Sequence, residues 1–199
     1  MSTALGSFDF LMWSVGLSEG GYADHLHDRG GKTNYGITQP FLDEYCDLQK
    51  LPHRPVKQMT RDMARDAYFH LIWCGVWVRA REVCEIAPAT GFVYADAAIL
   101  HGRAIAARFL QREVGTVADG KVGPQTLTDL LSETRNRGDQ KIAEGIMRRR
   151  RELIEDLVRE YPDQQVFYHG WVNRLNNVAR RADLRWRWYY LTGDSDDAA

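Results

Sequence analysis

The sequence lacks the features that mark membrane-spanning and nucleic-acid-binding proteins. No apolar run reaches the roughly 18 to 20 residues that a membrane-spanning helix needs, so no stable membrane insertion is expected. Lys and Arg total 26 against 27 Asp and Glu, for a net charge of -1, and basic residues alternate with acidic ones without a nucleic-acid-reading motif. The N-terminus has no basic segment and carries Asp9 inside its apolar patch, so no secretory signal peptide is predicted.

Cysteine is also scarce. Cys46, Cys74 and Cys84 are odd in number and follow neither a metal-binding nor a redox spacing. This pattern predicts reduced cytosolic thiols that are mostly buried, while a bridge from Cys46 to Cys74 or Cys84 after export stays open.

The composition is otherwise that of a globular protein. The chain has 199 residues, of which 44% are hydrophobic and 27% charged, and it is long enough to bury a core without disulfides. No strand pattern is convincing outside a short hairpin in the stretch 19–38, so a mainly α fold is predicted. Helix starts are predicted at N-caps and at first-turn prolines: Ser7, Pro40, Thr60, Pro88 and Pro124.

The stretch 19–38, EGGYADHLHDRGGKTNYGIT, holds the most distinctive residues of the chain. Upstream, apolar residues recur at i, i+3, i+4 and i+7 from Phe8 to Val15, which predicts an amphipathic helix that runs to the Gly-Gly pair. Continued at about 100° per residue, this helix places Glu19 within roughly 20° of Phe8, on the apolar stripe. Burial there would disfavour the carboxylate and raise the pKa of Glu19, as a general acid near neutral pH requires.

Two further polar residues in the stretch complete a set for glycosidic hydrolysis. Glycines permit tight turns and the close approach of a ligand, and a short β-hairpin would fold Asp28 and Thr33 back over the helix end. An acid protonates the leaving oxygen, while a carboxylate and a hydroxyl hold a water or stabilise the oxocarbenium ion. A helix-terminal glutamate in solvent is the simpler alternative for Glu19.

The stretch resembles the N-terminal signature of glycoside hydrolase family 108, the peptidoglycan-cleaving lysozymes of bacteria and phages. Glu19 stands directly before the Gly-Gly-Tyr turn of that signature, and 28–38 matches its pattern Asp-x-Gly-Gly-x-Thr-Asn-x-Gly-Ile-Thr. The order Glu19, Asp28, Thr33 is also similar to the Glu/Asp/Thr arrangement of phage-type lysozymes.

The resemblance implies a lysozyme-like helical body with a short hairpin beside the catalytic helix. It implies an N-acetylmuramidase that cleaves the β-1,4 bond between N-acetylmuramic acid and N-acetylglucosamine in bacterial peptidoglycan, with Glu19 as the acid and Asp28 and Thr33 as partners. The implied sugar-binding residues are Tyr22, Asn34, Tyr35 and Gly36. A monomer without cofactor or metal is expected. It would be made in the cytoplasm and act on the wall in the periplasm after release, as a phage endolysin does.

The sequence is interpreted as a catalytic region over 1–114, a smaller helical region over 115–191 and an acidic tail over 192–199 that is expected to be disordered. The segment DGKVGPQTL, 119–127, resembles a turn of peptidoglycan-binding modules, and a simple turn before a proline-initiated helix explains it too. Residues 135–190 contain 13 Lys or Arg against 8 Asp or Glu. Within it, 148–151 is predicted to be a solvated helix face with i,i+4 ion pairs.

A buried carboxylate is predicted in the helix that begins at Pro88. Asp96 lies beside the apolar stripe, and the related family commonly has an aspartate there. Because a buried carboxylate must be paired or hydrogen-bonded, Asp96 is expected to contact the hairpin rather than to catalyse. The family usually has Val-Asn-x-Gly where this chain has 99–102, ILHG, so a substrate contact on this helix is not carried over.

Three alternatives stay open. A lytic transglycosylase cleaves the same bond with one glutamate and leaves a 1,6-anhydro product. A non-catalytic wall-binding module would need only the segment 119–127 and the basic C-terminal half. A metal-dependent peptidase or amidase has ligands of the right type in one loop, although His-x-His is not a usual zinc spacing: Asp24, His25, His27 and Asp28.

Overall fold

The structure is a computed structural model that describes residues 5–16, 21–23 and 31–184. These residues form a mainly α body with one small antiparallel sheet, which confirms the predicted fold class. The α-helices are α1 (Phe8–Ser14), α2 (Gln39–Gln49), α3 (Arg61–Tyr68), α4 (Ala80–Ile86), α5 (Pro88–Leu100), α6 (Arg103–Val114), α7 (Pro124–Arg137), α8 (Asp139–Glu160) and α9 (Gln165–Arg181). The strands are β1 (Tyr22–Ala23), β2 (Thr33–Asn34) and β3 (Ile37–Thr38), and a π-helical turn (Phe69–Trp73) continues α3.

Helix α5 is the centre of the core. Every residue from Ala89 to Ala98 is buried, and the helices α1, α4, α6, α8 and α9 all contact it. Small side chains allow this close packing, since a Cβ added to Gly91 would lie 2.5 Å from the Cα of Cys84 on α4. Because α5 is buried on all sides, it has no solvent face. It joins the N-terminal elements to the C-terminal helices.

Local sequence signals set most helix starts. The side-chain oxygen of Ser7 accepts a hydrogen bond from the Phe10 N–H at 3.2 Å, and that of Thr60 accepts one from the Met63 N–H at 3.3 Å. Both predicted N-caps are therefore confirmed. The predicted prolines lie in the first turns of α2, α5 and α7. Helices α4, α6, α8 and α9 begin without a side-chain cap or a first-turn proline, and no helix is predicted in the place of α4.

Predictions about particular side chains have mixed outcomes. Cys46 and Cys84 are buried and Cys74 is exposed, and all three are free thiols. Arg151 pairs with Glu155 at 2.8 Å in the predicted i,i+4 arrangement. Arg150, in contrast, is fully buried, so the prediction of a solvated face is wrong at that position. Within the ranges that the structure describes, no helix is long and apolar enough to cross a membrane.

Candidate active site

Helix α1 ends at Ser14, well before the Gly-Gly pair. The Val15 N–H still donates to the Leu11 carbonyl at 3.0 Å, but Gly16 has a φ of 70°, a left-handed conformation that ends helices. The prediction that α1 continues to the Gly-Gly pair is therefore wrong, and the inferred position of Glu19 on its apolar stripe no longer supports a raised pKa. Glu19 and Asp28 themselves lie outside the described residues, as do Asp24, His25 and His27.

A cleft of about 1120 Å³ opens beside the small sheet. Its walls come from the hairpin, the start of α2, the end of α3 with the loop that follows it, the junction of α5 and α6, and a turn before α7. Cavities for small ligands usually measure roughly 300 to 1,000 Å³, so this cleft has room for more than one sugar. Its lining residues on the hairpin and the turn before α7 are Gly36, Ile37, Thr38, Gly120 and Lys121.

Strands β2 and β3 are joined by a two-residue turn, Tyr35–Gly36, here called the near turn. Tyr35 has a φ of 51° and Gly36 a φ of 77°, the positive values that tight hairpin turns require. Glycine adopts such a φ readily, whereas tyrosine is strained there. Contacts from the rest of the protein must therefore hold the near turn in place.

Tyr68 at the end of α3 supplies that hold. Its hydroxyl donates to the Tyr35 carbonyl at 3.0 Å, and a Cβ added to Gly36 would lie 2.9 Å from the same hydroxyl oxygen. Burial raises the pKa of Tyr68 above its ordinary value, so the hydroxyl keeps the proton that it donates. The Tyr35 N–H donates to the Gly21 carbonyl at 3.3 Å, which joins the near turn to the segment that begins β1.

Thr33 and Thr38 project from one face of the small sheet. They pair in antiparallel register, and residues paired in this way project from the same face. Thr38 lines the cleft, as does Ile37 from the other pair, whereas Thr33 itself does not. The other pair, Asn34 and Ile37, projects from the opposite face, and these residues are 5% and 1% exposed.

Asn34 is an anchor within the protein. Its Nδ2 donates to the Val56 carbonyl at 3.0 Å and to the Met59 carbonyl at 3.1 Å. Both amide hydrogens are therefore used, which leaves only Oδ1 for a sugar. Tyr22 is more accessible, with 38% of its surface exposed and the Lys57 ammonium 5.4 Å from its ring centre.

Asp96 is paired with arginines from two C-terminal helices. Arg150 on α8 contacts it at 2.5 Å and Arg174 on α9 at 2.9 Å. Burial alone would raise the pKa of Asp96, but the charges and hydrogen bonds of Arg174 and Arg150 outweigh burial and lower it to about 2. Asp96 is therefore always ionised at neutral pH and cannot act as a general acid. The expected direct contact with the hairpin is not what the structure shows; the carboxylate instead joins α5 to α8 and α9.

His101 links the buried pair of Asp96 and Arg150 to the wall of the cleft. The Arg150 Nε donates to His101 Nε2 at 3.2 Å, so Nε2 must carry a lone pair. Burial, followed by the charge of Arg150, lowers the pKa of His101 well below its ordinary value. His101 lines the cleft as a neutral imidazole. The only sequence signal near His101 is its neighbour Leu100, which stands where the family usually has an asparagine.

Helix α9 also reaches the end of α1. The Arg181 guanidinium donates to the backbone carbonyl of Ser14 at 2.8 Å and to its hydroxyl at 2.7 Å. It also lies 4.3 Å from the ring centre of Trp13. The C-terminal helix thus fixes the position of the helix that precedes the Glu19 motif, a contact that no local sequence pattern indicates.

Comparison with known proteins places this helical body and its cleft in a class of enzymes. The family model described as Glycosyl hydrolase 108 matches residues 12–102, and the model described as Predicted Peptidoglycan domain matches residues 105–176. Together they identify a glycoside hydrolase that acts on peptidoglycan. The chain belongs to the Glycosyl hydrolase 108 family.

A solved structure supports the same assignment over nearly the whole chain. The structure titled Structure of Brucella abortus SagA is 30% identical, with a TM-score of 0.68. The match covers 90% of this chain and 95% of that one. A search of curated proteins found no match.

Proposed function

We propose that the protein is an N-acetylmuramidase with Glu19 as its general acid. The bond broken is the β-1,4 linkage between N-acetylmuramic acid and N-acetylglucosamine. Glu19 gives its proton to the glycosidic oxygen as the bond to the anomeric carbon breaks. Asp28 and Thr33 stabilise the positive charge on that sugar or hold the attacking water, and the separation of the two carboxyl groups sets the anomeric outcome.

One observation carries the proposal: the hairpin that bears Thr33 forms a wall of the large cleft and is tied to the Glu19 motif. Gly21 belongs to that motif, and its carbonyl accepts the Tyr35 N–H at 3.3 Å. Thr33 projects from the same face of the hairpin as Thr38, which lines the cleft. A sugar in the cleft would thus lie against the hairpin at the place where the motif joins it.

The variant Glu19→Gln tests the assignment. Loss of the acidic proton is expected to reduce the release of muropeptides from purified sacculi at least about a hundredfold, the usual contribution of a general acid. The thermal unfolding midpoint should stay near that of the wild type. Wild-type lysis by the variant would refute the role of Glu19. The variants Asp28→Asn and Thr33→Val examine the partner roles in the same assay.

Mass spectrometry of the released muropeptides identifies the reaction. Hydrolysis adds a water to each cleaved bond, whereas a lytic transglycosylase leaves a 1,6-anhydro product that lacks it. A reducing N-acetylmuramic acid end in the wild-type digest supports the muramidase. A digest of anhydro products alone would replace it with the transglycosylase.

A further inference from the structure

The wall of the cleft formed by the turn before α7 carries side chains that the proposed reaction does not use. This turn, 119–123, is here called the far turn, and it contributes Gly120 and Lys121 to the lining. Beside it lies Trp77, from the loop that follows the π-helical turn. Trp77 is 57% exposed, which is unusual for so large an apolar side chain.

A buried glutamine on α6 holds the far turn rigidly. Gln111 is 1% exposed. Its Nε2 donates to the Asp119 carboxylate at 2.7 Å and to the Lys121 carbonyl at 2.9 Å. Its Oε1 accepts the Gly120 N–H at 2.9 Å. Asp119 and Gly120 of the DGKVGP segment are therefore used to hold the turn in place. The Lys121 side chain remains exposed.

The far turn and the Trp77 loop form one surface. The Val122 N–H donates to the Trp77 carbonyl at 2.9 Å, and the Tyr94 hydroxyl donates to the Val78 carbonyl at 2.8 Å. The Lys121 ammonium lies 5.0 Å from the centre of the Trp77 ring. The ammonium group thus lies over one face of an exposed indole, on backbone that the core holds in place.

The charge on this surface is available to a ligand. Among the residues that the structure describes, Lys121 makes no ion pair within 4.0 Å. Arg103, another cation of the cleft wall, is already bound by both carboxylate oxygens of Glu44. Lys121 is therefore the cation with which this part of the cleft can attract a carboxylate.

We propose that Trp77 and Lys121 form a subsite for a peptide-bearing sugar of the glycan strand. The indole stacks on the apolar face of the sugar ring, and the Lys121 ammonium binds a carboxylate of the attached stem peptide. Both groups occur together only where N-acetylmuramic acid carries its peptide. This inference rests on the proposed function for the identity of the strand, and it assigns the region matched as a peptidoglycan domain a part in the same cleft.

Binding without turnover tests the subsite. In a Glu19→Gln background, Lys121→Gln and Trp77→Ala are compared for affinity toward two soluble glycan fragments. One fragment keeps its stem peptides, and the other has lost them to amidase treatment. Lys121→Gln should weaken binding of the peptide-bearing fragment about tenfold and leave the peptide-free fragment unchanged. Trp77→Ala should weaken both about tenfold, and Trp77→Phe should restore most of that loss.

Controls make each outcome decisive. Lys50→Gln removes an exposed lysine that does not line the cleft, and it should change neither affinity. The Lys121 effect should shrink as salt rises, because an exposed charge pair is screened. Equal effects of Lys121→Gln on both fragments, no effect on either, or no binding of either fragment by the Glu19→Gln parent would overturn the subsite.

The two proposals fail in different ways. If Glu19→Gln retains full lytic activity, the catalytic assignment falls, and the subsite is then tested by the KM values of Lys121→Gln and Trp77→Ala for the two fragments. If Glu19→Gln is inactive but the two fragments respond alike to Lys121→Gln, the muramidase stands and the subsite does not. Thermal unfolding midpoints of all variants identify any that have lost their fold. If Trp77→Ala is one of them, Lys121→Gln, a change at an exposed side chain, is the deciding variant.

Discussion

The near turn and the far turn border the same cleft but are stabilised differently. Each wall is fixed by a buried tyrosine hydroxyl that donates to a backbone carbonyl, Tyr68 to Tyr35 and Tyr94 to Val78. The near turn adds a tyrosine with positive φ, whereas the far turn adds the three partners of Gln111. The near turn therefore stores strain, as functional sites often do, and the far turn is a satisfied polar network.

The largest effect should come from the buried carboxylate that joins α5 to α8 and α9. Asp96→Ala leaves the guanidinium groups of Arg150 and Arg174 without their carboxylate, and Arg150 is fully buried. Breaking a buried pair in this way costs about 3 to 5 kcal/mol, so the free energy of unfolding in urea should fall by that amount. Asp156→Ala removes the exposed partner of Arg159 and should cost less than about 1 kcal/mol.

Acid should lower the stability of the wild type by protonating the same carboxylate. The folded pKa of Asp96 is lowered to about 2 from an ordinary value of 3.8. Its contribution to stability is thus fully present above the ordinary value and is lost as the pH falls from there through the folded pKa. Asp96→Ala should lack this part of the acid dependence. An unchanged profile, or similar losses for Asp96→Ala and Asp156→Ala, would contradict a buried ionic support.

The variant Gln111→Ala tests whether the far turn can be loosened without a change at the near turn. It leaves the Gly120 N–H and the Lys121 carbonyl without their buried partner, which should cost about 2 to 3 kcal/mol of unfolding free energy. Hydrogen exchange should increase over 119–123 and stay unchanged at the near turn. Gln125→Ala, which removes an exposed bond to Asp129, is the matched control. Faster exchange at both turns alike would show that they are not independent.

Sequence patterns predict that both turns exist, but they do not predict the contacts that hold the far turn. The capping signals at Ser7 and Thr60 and the positive φ at Gly36 are local, because each depends on a few neighbouring residues. Gln111 reaches a turn about ten residues away, and Asp96 meets arginines 54 and 78 positions later in the chain. No periodicity or spacing reports such contacts, so the arginine partners of Asp96 and the burial of Arg150 could not be predicted.

The same reasoning explains the outcome for the site residues. The glycine-rich motif predicts the hairpin and the accessible Tyr22, but it cannot show that the Asn34 amide is used by the carbonyls of Val56 and Met59. Trp77 follows no apolar pattern, and its proposed role in binding rests on its exposure and its contact with Lys121. The roles of Glu19 and Asp28 remain predictions from the family motif.

The smallest change in stability is expected when either of the two tyrosine hydroxyls is removed. Tyr68→Phe and Tyr94→Phe both remove one buried hydrogen bond to a carbonyl, so each should lower the free energy of unfolding by about 1 kcal/mol. The functional effects should differ. Tyr68→Phe frees the strained near turn beside Thr33 and should reduce the turnover of sacculi several-fold. Tyr94→Phe loosens the loop of Trp77 and should instead weaken binding of peptide-bearing fragments, measured in the Glu19→Gln background. Because the two variants serve as each other's control for lost stability, equal changes in turnover and affinity would mean that the two walls have no separate roles.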